Sequence, residues 1–361
     1  MARHNNHNFP LYLAILLSLA LPILSTPLPS SRSESQSQSH WVDIWTTMPQ
    51  LTEPANLPPA PFNSTTSIFP NTTLRQTLRL TQPAQTIRLR LSNAFGSTDL
   101  PITSVAISIP ANNTLGSASI IPGTTTPLTF DGDASILVPV GSLIVSDPIT
   151  LPKQADGRGS DTNENNRWPD LLLPYLHTPH SATTSLSLLN QAAGGNRLLH
   201  DSLGPNTLSR IDRDVLAHSR ITHTIVFEGV NDIGTASTSP TAQQIVGDRI
   251  IMSYKQIVTR LHAAGIKVIG ATITPFGTPA NSSVVQPYSD PERERTRQRV
   301  NGWIRESGVF DGVVDFDRAV RRDDGAGRDL LKAEFDSGDH LHLNPRGYEA
   351  MAGAFPVELL D

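Results

Sequence analysis

Residues 222–232 read THTIVFEGVND, and this stretch decides the fold. Thr222 to Glu228 is a short, mostly apolar run, typical of a buried strand, and Gly229-Val230-Asn231-Asp232 follows it as a turn. Three other runs share this length and apolar character: Ser185 to Leu189, Ile266 to Ile273 and Gly312 to Phe316. We therefore predict four short strands in the second half of the chain.

Helical segments separate these strands. Val246, Ile250, Tyr254, Ile257 and Leu261 recur at helical spacing, which predicts a helix from Thr241 to Ala264. Two further helices are predicted, at Glu292 to Ser307 and at Arg346 to Leu360. Alternation of strands and helices predicts an α/β fold with a parallel sheet covered on both faces.

Residues 41–150 have a different composition, rich in Thr, Ser, Pro and Asn and poor in charge. Short runs alternate between polar and apolar side chains, as in Thr86 to Leu91, with turn residues between them. This pattern predicts a small β-sandwich-like domain ahead of the α/β domain.

The first 30 residues are predicted to be a signal peptide, because a basic start is followed by the apolar run LYLAILLSLALPILS. A membrane anchor is the alternative, but the run is short for a span and a Ser/Gln tract follows it. We expect a secreted, extracellular protein with no stable membrane association. Four glycosylation sequons agree with export: Asn63, Asn71, Asn112 and Asn281.

Bulk composition excludes several classes of function. The 361 residues carry a formal net charge of −5, so neither nucleic acid nor an anionic membrane is an expected partner. There is no cysteine, which excludes disulfides, thiolate zinc sites and cysteine nucleophiles. Nothing in the sequence specifies an oligomeric state.

Two of the loops that follow predicted strands carry groups able to bind an oxyanion. In an open parallel sheet, ligands bind beyond the carboxyl ends of the strands. Paired glycines at Gly194-Gly195 can expose a backbone N–H, and the Asn231 amide can donate a hydrogen bond to developing negative charge. Taken singly, the first motif is also an ordinary turn, and the second an ordinary loop cap.

The third loop contains Asp339-His340-Leu341-His342 just before a helix that starts with Asn344-Pro345. A carboxylate three residues before a histidine can accept a hydrogen bond from Nδ1, which leaves Nε2 as a general base. A metal site made by Asp339, His340 and His342 is the alternative. No further ligand cluster completes it in the sequence, so catalysis is favoured.

Together these motifs resemble the SGNH (GDSL-like) hydrolases. Gly195, Gly229-Val230-Asn231-Asp232 and Asp339-x-x-His342 look like the family's second, third and fifth blocks, in the right order. The resemblance implies a flavodoxin-like sheet and acyl-ester hydrolysis without metal or organic cofactor. It makes His342 the base, Asp339 its orienting group, and the Gly195 N–H and Asn231 side chain the oxyanion donors.

Three stretches resemble an extracellular esterase branch of that family: Arg167 to Leu171, Gly194 to Leu199 and Phe227 to Gly234. This branch carries a β-rich N-terminal region and is linked to plant polysaccharides. The resemblance therefore implies a small-molecule or polysaccharide ester as substrate, and an SGNH hydrolase-like domain over residues 156–361.

The family's first block, Gly-Asp-Ser, is not found in this sequence, although Asp156 to Asp161 is similar to its tail. Lys153 stands where the nucleophilic serine is expected, and the strand before it is also missing. Ser160 is the nearest hydroxyl, but its displacement along a polar loop argues against it. We expect either an esterase that lacks its nucleophile segment or a catalytically inactive carbohydrate- or ester-binding protein.

Two expectations follow from the missing Gly-Asp-Ser block and the missing strand before it. Leu143 to Leu151 is predicted to replace the missing central strand, because unpaired backbone groups there cost about 1–3 kcal/mol each. The chain is also expected not to turn over p-nitrophenyl acetate, since no positioned hydroxyl accompanies His342.

Overall fold

The computed structural model describes residues 41–361, apart from residues 52, 55–56, 65–67, 115, 152–165, 180 and 324–328. All that follows concerns residues 41–361. The predicted signal peptide, Lys153 and Ser160 lie outside the described residues. Within the described ranges, no helix has the length and apolar character needed to cross a membrane.

Eight short strands form the β-rich region, and they pair as nested antiparallel ladders. They are β1 Thr86–Ile87, β2 Arg90–Ser92, β3 Leu100–Ile102, β4 Val105–Ile107, β5 Thr126–Leu128, β6 Ile136–Val138, β7 Leu143–Val145 and β8 Ile149–Thr150. The pairs are β4 with β5, β3 with β6, β2 with β7 and β1 with β8. The chain thus runs out along one side of an interrupted hairpin and returns along the other. The β-sandwich-like packing of this region stays a prediction.

A parallel sheet forms the centre of the second half, as the sequence predicts. Its strands are β9 His223–Val226, β10 Lys267–Ala271 and β11 Gly312–Val314, in the order β11-β10-β9. Ile269 of β10 pairs with Ile225 on one side and with Gly312 on the other. The molecule is therefore a mixed α/β protein.

Seven α-helices are described, and three of them match predicted helices closely at their first residues. They are α1 Trp168–Leu176, α2 Thr207–Ile211, α3 Val230–Thr235, α4 Pro240–Ala263, α5 Pro291–Glu306, α6 Phe316–Val320 and α7 Pro345–Gly353. Ser239, Asp290 and Asn344 accept backbone N–H bonds at the starts of α4, α5 and α7. A π-helical turn, Asp212–Leu216, continues α2, and a 3₁₀ turn at Val357–Leu360 follows α7.

Helices cover the sheet on both faces because side chains of β10 alternate between two cores. Val268 packs with Ile250, Ile257 and Ile304 of α4 and α5. Ile269 and Ala271 pack with Leu172 of α1 and Met351 of α7, among others. Between them, Gly270 leaves room for the Phe310 ring, which a Cβ would meet at 2.7 Å.

One predicted strand and the predicted place of another in the sheet are wrong. Residues 182–185 form a 3₁₀ turn, and the chain from Leu186 to Leu188 bonds to the side chains of Gln82 and Thr81 rather than to β9. The backbone of this apolar run therefore makes its hydrogen bonds to the N-terminal region. The spacing of residues in the sequence does not reveal these contacts. The substitution of Leu143 to Leu151 for the central strand is also wrong, because β7 and β8 pair with β2 and β1 in the ladder.

Candidate active site

Asp339 and His342 form the hydrogen-bonded pair that the sequence predicts. His342 Nδ1 lies 2.6 Å from Asp339 Oδ2, and the His342 backbone N–H donates to Asp339 Oδ1 at 2.9 Å. The pair lies just before α7, whose first turn is capped by Asn344. The His342 side chain is 68% exposed, and within the described part of the chain its Nε2 makes no hydrogen bond. That nitrogen is therefore available as a proton acceptor.

The Asp339 carboxylate is held in its ionised form. Partial burial opposes ionisation, but hydrogen bonds from the His342 side chain and from the N–H groups of His342 and Leu341 outweigh it and lower the pKa of Asp339. Ser337 Oγ lies 3.1 Å from the same carboxylate. An ionised Asp339 fixes the Nδ1–H tautomer of His342 and leaves Nε2 as the proton acceptor.

Asn231 lies in the first turn of α3, immediately after β9. Gly229 precedes the first residue of α3 and has φ 103°, a left-handed conformation that glycine adopts without strain. The Asn231 Nδ2 donates to the Asn196 carbonyl at 2.9 Å, and its Oδ1 accepts from the Tyr288 hydroxyl at 3.1 Å. These bonds fix the direction of the amide and leave its second N–H for another acceptor.

Gly195 forms the turn that faces the Asn231 amide. Its φ is 73°, and an added Cβ would meet the Leu203 side chain at 2.5 Å, so both conformation and space require glycine. No described residue accepts a hydrogen bond from its N–H. The next residue, Asn196, is buried, and its Oδ1 accepts from Arg210 and Thr207. These hydrogen bonds of Asn196 therefore fix the position of the Gly195 turn.

Asp232 supports the same turn, a role that sequence reasoning missed. Its buried carboxylate accepts the backbone N–H groups of Leu198 and Leu199 at 2.8 and 3.0 Å. Burial raises the pKa of Asp232 although these hydrogen bonds oppose the shift. The Gly229-to-Asp232 motif thus holds the Gly195 loop through Asp232 and presents an amide through Asn231.

The segment from Thr278 to Asp290 links Asn231 to the histidine loop. Tyr288 donates to Asn231, and Gln286 Nε2 donates to the Asp339 carbonyl at 2.8 Å. The Tyr288 N–H in turn donates to Gln286 Oε1 at 3.1 Å. Through this segment, which no sequence pattern singled out, hydrogen bonds join Asn196, Asn231, Asp339 and His342.

Glu228 is a buried carboxyl group directly before the Asn231 turn. Burial raises the pKa of Glu228 to about 7, although Arg210, whose guanidinium lies 3.5 Å away, acts against the shift. Its backbone carbonyl accepts from the Tyr254 hydroxyl at 2.7 Å. The group underlying the Asn231 turn therefore changes its charge near neutral pH.

The alternative metal site is not assembled by these side chains. The His340 ring turns away from Asp339 and His342 and bonds to Asp336 and Ser282. Within the described ranges, no group of three or more possible ligands lies close enough to hold a metal ion.

Comparison with known proteins identifies the family. The profile of the GDSL-like lipase/acylhydrolase family matches residues 154–350, more than half of the chain. The chain therefore belongs to the GDSL-like lipase/acylhydrolase family, and by family it is a carboxylic ester hydrolase. No curated protein matches it.

Solved structures of related hydrolases align over about half of the chain. Axe2, an acetylxylan esterase from Geobacillus stearothermophilus, is 18% identical and aligns over 54% of this chain and 80% of its own, with a TM-score of 0.39. A GDSL-like lipase from Bacteroides thetaiotaomicron VPI-5482 is 16% identical, over 42% and 68%, with a TM-score of 0.33. The acetyl xylan esterase AlAXEase is 18% identical, over 53% and 89%, with a TM-score of 0.38. Alignments of this quality carry no argument about substrate.

Proposed function

We propose that the region around His342 binds acyl esters, acetyl esters of plant polysaccharides among them, and hydrolyses them when a serine is supplied from a Gly-Asp-Ser segment before Asp156. In this proposal His342 is the general base and Asp339 orients it. The Gly195 N–H and the Asn231 amide stabilise the oxyanion. Acyl or acetyl esters on a polysaccharide are the substrate class that the sequence blocks support.

One observation carries the proposal: hydrogen bonds link the Asn231 amide, and the loop that contains Gly195, to the histidine pair. The link runs from the Asn196 carbonyl through Asn231, Tyr288 and Gln286 to Asp339. Catalysis by acyl transfer requires these groups to be fixed before reaction, because preorganised donors cost no reorganisation in the transition state. Their mutual anchoring supports an active site in preference to separate loop caps.

The nucleophile is the element that this sequence does not place beside His342. Ser160 and Lys153, the two residues weighed from sequence, lie outside the described residues. A serine must come within about 2.6–3.2 Å of the base to be activated. For this reason we propose that the chain has little His342-dependent turnover unless the segment is restored.

The test compares three proteins with p-nitrophenyl acetate and an acetylated xylan: the present chain, a restored chain with Gly-Asp-Ser placed before Asp156, and the restored chain with His342→Ala. We expect restoration to raise turnover at least a hundredfold and His342→Ala to remove most of the gain. An inactive restored chain that still binds acetylated xylan would instead support the carbohydrate-binding alternative. Activity of the present chain equal to the restored one, lost with Ser160→Ala, would make Ser160 the nucleophile.

We further propose export and N-glycosylation. All four sequon asparagines, Asn63, Asn71, Asn112 and Asn281, are exposed, as a glycan acceptor requires. Expression in a secreting fungal or yeast host should give an extracellular protein whose apparent mass falls on deglycosylation. Retention of the protein in the cells would contradict the proposal.

A further inference from the structure

A second histidine of the same loop lies between a carboxylate and a serine. His340 Nδ1 is 2.5 Å from Asp336 Oδ2, and His340 Nε2 is 2.6 Å from Ser282 Oγ. Ser282 comes from a segment 58 residues earlier in the chain. The side chains of His340 and Asp336 are only 13% and 14% exposed. The three groups therefore form a continuous hydrogen-bonded line in a largely enclosed setting.

The backbone of the loop is shaped around this line. His340 has φ 62°, a left-handed conformation that is uncommon for residues other than glycine, although histidine adopts it more often than most side chains do. Asp336 Oδ1 accepts the backbone N–H groups of Gly338 and His340 at 2.8 and 3.0 Å, while its Oδ2 faces the imidazole. Backbone strain of this kind persists where the surroundings fix it, and such places are often functional. Here it directs the His340 ring between Asp336 and Ser282.

The positions of the protons follow from the hydrogen bonds. An ionised Asp336 accepts Nδ1–H, so Nε2 of His340 is the acceptor and the Ser282 hydroxyl donates to it. The competing acceptor, the Val284 carbonyl, is farther from Ser282 Oγ at 2.9 Å. The Val284 N–H donates to Oγ at 3.1 Å, and the shorter contact to Nε2 favours the histidine as acceptor of the single hydroxyl proton. This is the ground-state arrangement of a serine activated by a histidine–carboxylate pair.

We propose that Ser282 is a second nucleophile of this protein, with His340 as its general base and Asp336 as the orienting carboxylate, and that it takes the acyl group of small carboxylic esters. The proposal concerns a different serine and a different histidine from those of the proposed function. It does not require the Gly-Asp-Ser segment.

The chemistry balances as two acyl transfers. Ser282 Oγ attacks the ester carbonyl carbon and its proton passes to His340 Nε2. The bond from that carbon to the alcohol oxygen breaks, and the alcohol leaves with the proton from Nε2. Water then attacks the acyl-serine and gives a proton to Nε2. Ser282 Oγ recovers this proton as the carboxylic acid is released.

The surroundings of Ser282 suit a small acyl group. Ser282 itself is half-buried, and the neighbouring Val284 and Val285 side chains are 46% and 74% exposed. The Ser283 N–H, next along the chain from the nucleophile, makes no hydrogen bond to any described residue. An apolar surface and a free N–H beside Oγ are what an acyl chain and its carbonyl oxygen require.

A fluorophosphonate probe tests the proposal on the present chain, because the probe forms a stable bond only with an activated serine. The protein is produced in a host without N-glycosylation, incubated with the probe, digested and analysed by mass spectrometry. We expect about one adduct per chain, located on Ser282. The parent protein alone decides this point, so the result does not depend on how any variant folds. An absence of adduct, or an adduct confined to Ser160 or another serine, would overturn the proposal.

Variants then assign the roles through the rate of adduct formation and of p-nitrophenol release from p-nitrophenyl acetate. We expect Ser282→Ala and His340→Gln each to lower both rates at least tenfold, and Asp336→Asn to lower them in the same direction. Ser97→Ala, at an exposed serine of the β-rich region, should stay within twofold of the parent. Unchanged rates in Ser282→Ala would show that Ser282 only caps the Val284 turn. Labelling of Ser282 together with an inactive restored chain would separate this proposal from the proposed function.

Discussion

His342 and His340 lie on one loop with a carboxylate on each Nδ1, yet their side chains are 68% and 13% exposed. The exposed pair, Asp339 and His342, presents Nε2 to solvent. The enclosed pair, Asp336 and His340, already holds a hydroxyl, that of Ser282. A histidine–carboxylate pair can thus be specified within a few residues of sequence. The hydroxyl that it activates depends on tertiary structure.

The largest expected effect is a difference in kcat between variants of the two carboxylates, Asp339 and Asp336. In the restored chain, Asp339→Asn should lower kcat for p-nitrophenyl acetate by about 10⁴-fold, because the wrong tautomer of His342 is then held. Asp336→Asn in the same protein should lower it less than tenfold. Steady-state kinetics on the two variants, made side by side, measures both. Equal losses would mean that the pairs act as one unit.

A smaller effect concerns the oxyanion donor. Asn231→Ala in the restored chain should lower kcat by about 10²–10³-fold with little change in KM, because the lost hydrogen bond matters mainly in the transition state. Asn190→Ala, which removes an amide of the same size outside the network, serves as the control. Ser282 labelling of the present chain should be unaffected by Asn231→Ala. A loss confined to KM would instead assign Asn231 to substrate binding.

The elements that local pattern specifies were predicted well. Strands β9, β10 and β11, helices α4 and α5 and the pairing of Asp339 with His342 all depend on neighbours a few residues apart. Contacts between distant segments were not predicted. The run from Ser185 to Leu189 bonds to residues near Thr81, and Ser282 contacts His340, 58 residues later in the chain. No periodicity in the sequence indicates either contact.

The supporting groups of the site show the same limit. The sequence suggested that Asn231 or Asp232 caps a loop or contributes to an oxyanion site, but it could not indicate that Asp232 holds the backbone of Leu198 and Leu199. Tyr288 and Gln286 lie in a segment without strand or helix pattern, so nothing marked them as the link between Asn231 and Asp339. The roles assigned to Gly195, Asn231, Asp339 and His342 stay predictions until they are tested.

The free energy of unfolding should fall by different amounts when the carboxylate of each histidine pair is removed. Asp336→Ala removes an enclosed acceptor of three hydrogen bonds, and we expect a loss of about 2–4 kcal/mol in the free energy of unfolding. Asp339→Ala should cost about 1 kcal/mol or less, because the exposed pair is screened by solvent. Urea denaturation of the present chain at pH 7 measures both. A larger loss for Asp339→Ala would reverse the assignment of the enclosed pair as the structural anchor of the loop.

The smallest effect is a pH dependence that arises beneath the Asn231 turn. Burial raises the pKa of Glu228 to about 7 from an ordinary value near 4.5. The folded protein therefore binds this proton more tightly than the unfolded chain, and the resulting stability is complete below about pH 4.5 and declines as the pH rises through 7.

Glu228→Gln should remove this dependence. Thermal unfolding between pH 5 and pH 8 should show the melting temperature of Glu228→Gln rising relative to that of the parent as the pH increases. Glu334→Gln, at an exposed position, is a suitable control and should follow the parent. Parallel curves for parent and Glu228→Gln would indicate that Arg210 keeps Glu228 ionised throughout.

The nested ladder of the β-rich region also bears on the order in which that region folds. Its innermost pair joins β4 and β5 across the short connection from Ile107 to Thr126, whereas its outermost pair joins residues as distant as Thr86 and Thr150. Loop-closure entropy increases with the length of chain enclosed, so the inner pair can form first at the lowest entropic cost. Each pair already formed shortens the loop that the next must close. We therefore expect the strand pairs to form in order from β4 and β5 outward, with β1 and β8 pairing last.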